Sequence, residues 1–396
     1  MAHSPTDVFI AGAARTAIGN FNGAFTGTPA TELGATAIRS ALERAKVDAG
    51  DVDEVLMGCV LPAGLGQAPA RQAALGAGVP EATPCATVNK VCGSGMKTAM
   101  MATDAIRAGS AEIAVAGGME AMTNAPHLLP TGRSGIKFGH GEILDHMACD
   151  GLEDAYQKRT AMGVFAEKCA REWQFSREEQ DEYAMRSVTR AQTAIADKSF
   201  TDEIAVVEVK TRKGAVDIVD DEKPGLVSAD KIPALRAAFE KDGTVTAGNA
   251  SAISDGAAAL VLASGAAVDA KGLDPVARIV GHASHAQAPE WFTTAPVDSI
   301  RKLLEKIGWS ADEVDLYEIN EAFAVVPMAA MRELKLPAEK VNVRGGAIAL
   351  GHPIGASGAR ILVTLIHALK ATGGKKGVAS LCIGGGEATS VAVELV

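Results

Sequence analysis

Asp51-Val52-Asp53-Glu54-Val55-Leu56 returns in altered form as Ala311-Asp312-Glu313-Val314-Asp315-Leu316. Val55 lies 37 residues before Cys92, and Val314 lies 38 before His352. Beyond each comes a run of small residues suited to a helix start, Gly93-Ser94-Gly95 and Ala356-Ser357-Gly358. Each then leads into an apolar stretch ending in glycines, Ala116-Gly117-Gly118 and Ile383-Gly384-Gly385-Gly386. Two copies of one such unit, packed as a pseudo-dimer, bring their equivalent loops to one seam. In a chain with 42 glycines, chance similarity competes with duplication on this clue alone.

Around the repeat, short apolar runs alternate with helical patterns, the signature of an α/β fold. Strands are predicted at residues 8–11, 55–58, 113–116, 258–263, 277–282, 316–319 and 377–382, and helices at 32–45, 95–108, 297–307 and 356–371. Residues from about 121 to 242 break this rhythm. They are more charged, carry the turns Pro130-Thr131-Gly132 and Lys223-Pro224-Gly225, and read as an inserted loop-and-helix unit.

Composition narrows the partners. Among 396 residues, 48 acidic against 38 basic side chains give a net charge of −10, which argues against a nucleic-acid or anionic-membrane surface. An anionic ligand would need local donors. Met1 to Asp7 lack a basic and then apolar leader pattern. The apolar stretch from Gly256 to Val268 is too short to span a bilayer. Six cysteines without CxxC or zinc spacing predict free thiols, no metal site and a reduced, cytoplasmic compartment.

Four positions stand out chemically. Cys92 precedes a predicted helix, whose unpaired N–H groups favour thiolate, so it reads as a nucleophile; a small buried hydrophobe at a tight turn is the alternative. His352, between Gly351 and Pro353, is the type of base a thiol needs near neutral pH, or else a turn histidine bonded to backbone. Cys382 ends an apolar strand at a glycine turn, where a second thiol can move a proton and the Gly384 N–H can hold an oxyanion; simple packing is the alternative. Asn320, closing the strand 316–319, can position a water or a carbonyl oxygen, or merely form the turn. No GxGxxG after a strand, GxxxxGK[ST] or GxSxG occurs, which removes the common nucleotide and serine-hydrolase readings.

Together these segments, with Arg15-Thr16-Ala17-Ile18-Gly19 and Gly243-Thr244-Val245-Thr246-Ala247-Gly248-Asn249-Ala250-Ser251, resemble the thiolase family nearly end to end, and most closely its short-chain biosynthetic branch. The resemblance implies a thiolase fold, with two similar βαβαβαββ halves in a layered αβαβα arrangement. The halves would be 1–120 plus 243–272 and 273–396, with an inserted loop domain, 121–242, for CoA binding. It also implies a reversible condensation of two acetyl-CoA to acetoacetyl-CoA and CoA. Cys92 would carry the acetyl group and His352 accept its proton. Cys382 would remove the α-proton of the second acetyl-CoA, Asn320 with His352 would hold the enolate oxygen, and the N–H groups of Cys92 and Gly384 would hold the tetrahedral oxyanion.

CoA contacts are implied at Met162, Lys231, Phe239, Ala247, Ser251 and Phe323. CoA thioesters are substrates in this reading, no cofactor is implied, and a homo-oligomer, dimer or tetramer, is expected. The chain departs from the family pattern at Ala161, Lys231, Pro224 and Arg344, leaving Lys223, Lys231 and Arg212 as candidates for the phosphates. The rivals are a degradative 3-ketoacyl-CoA thiolase with a wider tunnel, a decarboxylating ketoacyl synthase-like enzyme, and a non-catalytic acyl-CoA or lipid-binding module.

Overall fold

Apolar side chains at alternate positions sort onto the two faces of an eleven-stranded sheet in the computed structural model, which describes residues 4, 6–212 and 214–396. Met1, Ala2, His3 and Pro5, on which the expectation about a leader partly rests, lie outside the described residues. The principal strands are β1 (Val8–Thr16), β2 (Glu54–Gly58), β3 (Cys85–Val88), β4 (Ile113–Ala121), β5 (Ser254–Ser264), β6 (Ala277–Ala286), β7 (Leu316–Ile319), β8 (Lys376–Ile383) and β9 (Glu387–Leu395). Their order is β7-β8-β9-β6-β1-β5-β4-β2-β3, with Gly19–Asn20 and Ile204–Ala205 paired onto β5 and β1.

From the centre outward, β1-β5-β4-β2 and β6-β9-β8-β7 follow one pattern of pairing: antiparallel, antiparallel, parallel. Both β1 and β6 carry a register shift just before a glycine, Gly12 and Gly281. Duplication is therefore present in the topology, but its register corrects the one read from sequence. Asp53 accepts the Glu112 and Ile113 N–H groups, and Asp315 accepts those of Lys375 and Lys376. The turns Ala49–Asp51 and Ala311–Glu313 precede these two acids. Asp53 thus matches Asp315, two residues beyond the Glu313 that sequence similarity pairs with it. Solvated acids on the turns dominated that similarity, whereas only the aspartate that caps the neighbouring strand is structurally fixed.

The main helices are α1 (Ala30–Ala45), α2 (Ser94–Arg107), α3 (Met162–Glu172), α4 (Arg177–Ala196), α5 (Ala295–Ile307), α6 (Val325–Leu334) and α7 (Ser357–Thr372). Met96 and Met100 of α2 and Ile361 and Leu365 of α7 share a core with Leu260, Leu262, Leu381 and Val391 from both halves of the sheet. The opposite faces are covered by α1 and α4 over Val55, Val115 and Val261, and by α3, α5 and α6 over Tyr317, Val378 and Cys382. This is the layered arrangement that the resemblance to thiolases implies. Where α2 crosses α7 the main chains touch: a Cβ on Gly95 would lie 2.9 Å from the Ala359 nitrogen, and one on Gly358 2.4 Å from that of Met96.

Every predicted strand and helix is present, with ends moved by up to five residues. β9 escaped prediction because it opens on Glu387-Ala388-Thr389-Ser390, where Thr389 is the sole β-branched residue and no large apolar side chain marks a strand. Within 121–242, α4 opens with a Ser176–Glu179 capping box and buries Tyr183, Val188 and Ala191 in the core it shares with α1. The fully buried Arg15 on β1 ties this stretch down, with Asp221 at 2.7 and 2.8 Å and Glu203 at 2.5 Å.

Candidate active site

The loop before α2 is tightly held. The Lys90 N–H donates to Ser94 Oγ at 2.8 Å, and that hydroxyl donates to the Val91 carbonyl at 2.6 Å. The result drives Val91 to φ 45°, a strained region for a β-branched residue. Half-buried Cys92 follows. Burial pushes its thiol up to about 11, opposed by the N–H groups of Gly384 and of Cys92 itself, both directed at the sulfur. The resting group is therefore a thiol, and it sits where two N–H donors can receive charge developing nearby.

His352 is buried, and its environment fixes its tautomer. Ser357 Oγ spends its single proton on the Pro353 carbonyl at 2.9 Å, so it accepts the Nδ1–H of His352 at 2.6 Å. Nε2 is then a bare acceptor, and it has no protein partner. Burial, aided by the Arg360 charge, drives the imidazole down to about 3, which keeps it neutral with its free lone pair at Nε2. Gly351, at φ 115°, sits so close to Ser254 Oγ that a Cβ would lie 2.1 Å away, so the turn that delivers His352 requires glycine.

Asn320 is 1% exposed, and neither Oδ1 nor Nδ2 has a partner. A buried, unsatisfied amide is costly, and that marks it for a ligand. Its own N–H donates to Ser380 on the neighbouring strand at 2.9 Å. Cys382, one turn of the pleat beyond, is fully buried. Burial raises its thiol well above the usual range, and the nearby Cys92 sulfur raises it further. The two sulfurs therefore sense each other.

A cavity of about 510 Å³ opens beside His352, while Cys92, Cys382 and Asn320 are not part of its lining. His352, Met162, Phe239, Ala247, Ser251 and Phe323 line it, and Phe239 meets Phe323 edge-on at 5.9 Å. Met122 and Ile354 line the same cavity and pack in one apolar cluster with Cys92. Five of the six positions expected to contact CoA are thus on this wall. Lys231 is not: it is exposed on the turn Ala229–Ala234 and does not line the cavity. Arg212 is exposed at a hairpin turn. Lys223 does line it, but its ammonium donates to the Ile348 carbonyl at 2.6 Å and burial lowers it to about 8. A larger hollow of about 620 Å³ beside Arg44 and His367 contains none of the predicted groups.

Sequence reasoning missed two supports. Ser357 was seen only as a small residue at a helix start. Glu321, directly after Asn320, accepts from Tyr183 Oη, Ser187 Oγ, Asn342 Nδ2 and the Ile348 N–H at 2.7–3.1 Å, and so ties the Asn320 strand end to α4 and to the chain leading to His352. An acid at the end of a buried strand was the available signal. Among the described residues, one trio with metal-ligand atoms lies within 4.8 Å, His146, Cys149 and Asp150. Both ring nitrogens of His146 are already engaged, by Asp150 at 2.7 Å and by the Ala63 N–H at 3.4 Å.

Comparison with known proteins agrees over the whole chain. Residues 8–266 match the family model "Thiolase, N-terminal domain" and 273–395 "Thiolase, C-terminal domain". The chain is 49% identical to the acetyl-CoA acetyltransferase of Schizosaccharomyces pombe over 393 residues, 99% of each protein. It superposes on the crystal structure of the Bacillus anthracis acetyl-CoA acetyltransferase with a TM-score of 0.96 at 43% identity, covering 100% of this chain and 99% of that one. It also superposes on the Acat5 thiolase from Ascaris suum in complex with coenzyme A, with a TM-score of 0.93 at 42% identity, covering 98% and 100%. With two halves of one topology, a thiol beneath two N–H donors, an imidazole with a bare Nε2 on the wall of an apolar cavity, and these matches over its length, the chain belongs to the thiolase family.

Proposed function

We propose that the chain is an acetyl-CoA C-acetyltransferase, joining two acetyl-CoA into acetoacetyl-CoA and CoA and running the reverse thiolysis through an acetyl-cysteine. Cys92 Sγ attacks the thioester carbonyl while His352 Nε2 takes the thiol proton. The carbonyl oxygen, now negative, lies against the N–H groups of Cys92 and Gly384; CoA leaves with the proton of the Cys382 thiol, while His352 keeps the proton it took from Cys92. The Cys382 thiolate then removes an α-proton from the second acetyl-CoA, and the enolate oxygen is held by Asn320, through a water, and by the Nε2–H that His352 gained from Cys92. The carbanion attacks the acetyl carbonyl, Cys92 is released as the leaving group and takes its proton back from His352, and acetoacetyl-CoA departs.

The observation that carries this reading is the bare, buried Nε2 of His352, held as an acceptor through Ser357. The names of the S. pombe and B. anthracis relatives support the same reaction. The coenzyme A in the A. suum complex supports CoA thioesters as ligands of the apolar cavity. Within this reading Met162, Phe239, Ala247, Ser251 and Phe323 hold the pantetheine arm, and Lys231 meets phosphate only at the solvent end. Residues 121–242 form the inserted loop domain between the halves 1–120 with 243–272 and 273–396. No cofactor takes part.

The same reading places the enzyme in a reducing, cytoplasmic compartment, supported by six free cysteines. Among the described residues, no helix is long and apolar enough to cross a membrane. It works as a homo-oligomer, dimer or tetramer, supported by the exposed Ile136, Phe138 and Ile143.

Mass spectrometry after brief incubation with acetyl-CoA tests the reaction: one acetyl group on Cys92 is expected, and acetylation elsewhere or nowhere overturns it. Steady-state thiolysis of four-carbon against long-chain 3-ketoacyl-CoA tests the substrate, and a strong preference for long chains would favour the degradative reading.

A further inference from the structure

We propose that Glu120 is a positioning residue, whose carboxylate holds the His352 loop of one half of the molecule against the nucleophile's surroundings in the other. This rests on the function proposed above. Glu120 lies near the end of β4 with no exposed surface. Its Oε2 accepts the Gly355 N–H at 2.8 Å and the Val60 N–H at 3.0 Å. Its Oε1 accepts the Leu61 N–H at 3.1 Å and the Cys59 thiol at 3.6 Å. Among the described residues, no lysine or arginine pairs with it. A carboxylate buried without a cation is expensive, and here its compensation comes from backbone of two separate segments. Burial still raises it to about 7.

Those two segments matter for the site. Gly355 is three residues beyond His352, with Pro353 stiffening the link. Val60, Leu61 and Ile354 pack in one cluster with Cys92. The Glu120 carboxylate therefore joins the strip carrying the imidazole to the strip packed around the thiol. There is no slack: a Cβ on Gly355 would lie 2.5 Å from Glu120 Oε2, and one on Gly118 2.0 Å from the Gly355 carbonyl. His352 itself is held by its N–H to Ala252 at 3.0 Å and by its ring to Ser357, neither of which bonds to the Val60–Leu61 strip. Glu120 supplies the hydrogen-bonded link between those two strips.

The test is Glu120→Gln, which keeps the size but turns one acceptor into a donor facing an N–H. Acetyl transfer to Cys92 is expected to slow by about 10²-fold, the scale of an ångström's misplacement, with KM for acetyl-CoA little changed. The same substitution in a His352→Ala background is expected to cost nothing more, because there is no imidazole left to position. Equal losses in both backgrounds would assign Glu120 a merely structural role and overturn the proposal. Should Glu120→Gln fail to fold, Glu120→Asp retains the charge with a shorter reach, and the same comparison of backgrounds applies. Full activity in His352→Ala alone would instead sink the reaction mechanism, so the two failures are told apart.

Discussion

Ser94 and Ser357 occupy matching places, each opening the central helix of its own half, and each is fully buried. Ser94 spends both of its hydrogen bonds on main chain, accepting from Lys90 and donating to Val91. Ser357 also donates to main chain, at Pro353, but its acceptor side holds a side chain, the imidazole of His352. The same hydroxyl at the same helix start thus fixes a loop in one half and a tautomer in the other. Duplicated architecture supplies the location, and a single hydrogen bond decides which chemistry is done there.

The contrast is sharpest at the groups the two serines serve. Cys92→Ala should abolish acetyl-enzyme formation and cut thiolysis by about 10⁴-fold or more, while His352→Ala should cost about 10²–10⁴-fold; stopped-flow release of CoA measures both. If the cysteine variant proved the milder of the two, the division of labour between the halves would be misassigned. Next in size, the serines should separate by type of damage. Ser357→Ala should lower kcat by about 10–100-fold, the loss of one buried hydrogen bond to a catalytic group, with little change in unfolding. Ser94→Ala should instead lower the unfolding free energy by about 1–3 kcal/mol by leaving a backbone pair unsatisfied. Urea titration beside steady-state kinetics distinguishes them, and identical behaviour of the two variants would end the comparison.

Proton occupancy gives a subtler contrast. With Cys92 raised to about 11 and His352 lowered to about 3, both groups rest uncharged at neutral pH. Alkylation of Cys92 by iodoacetamide should keep accelerating from pH 7 to 9, and a plateau below pH 8 would indicate a preformed thiolate–imidazolium pair. For stability the sign runs through the unfolded state. There His352 binds a proton near its ordinary value of 6.5, whereas folded it does so only near 3. Unfolding is therefore favoured as pH falls through that window, and His352→Gln should flatten the slope. The smallest effect is expected at the strained turn. Val91→Gly relieves a backbone cost of about 1–3 kcal/mol and adds about 0.5–1 kcal/mol of glycine entropy, so stability should change by no more than about 2 kcal/mol. A larger loss by calorimetry would mean that the Val91 side chain, and not its backbone, holds the loop.

Much of this was legible before any coordinates. β7 is observed over the residues predicted, Leu316–Ile319, because four apolar-rich residues between turns leave little choice. Cys92, His352, Cys382 and Asn320 stood at strand ends and helix starts, where sequence exposes them. What stayed hidden was support at long range. Nothing near Glu120 in the chain points to Gly355, 235 positions away, and nothing near Ser357 signals that its proton is already committed. The repeat was visible, but its register was not, since conspicuous acids on solvated turns outweighed the two aspartates that cap the next strand. α4 was not placed from sequence: its Ser176–Glu179 capping box was an available signal, but the charge around it disguised both the helix and how much of it is core.

The crossing of α2 over α7 carries a last implication. Gly95 abuts Ala359 while Gly358 abuts Met96, so each helix meets its counterpart reciprocally, as identical subunits do across a two-fold axis. In a symmetric ancestor one gene position would have governed both sides of that contact, and any bulky replacement would have been felt twice. A single chain is free of that constraint, and its halves carry different groups, a sulfur two residues before Ser94 and a ring five residues before Ser357.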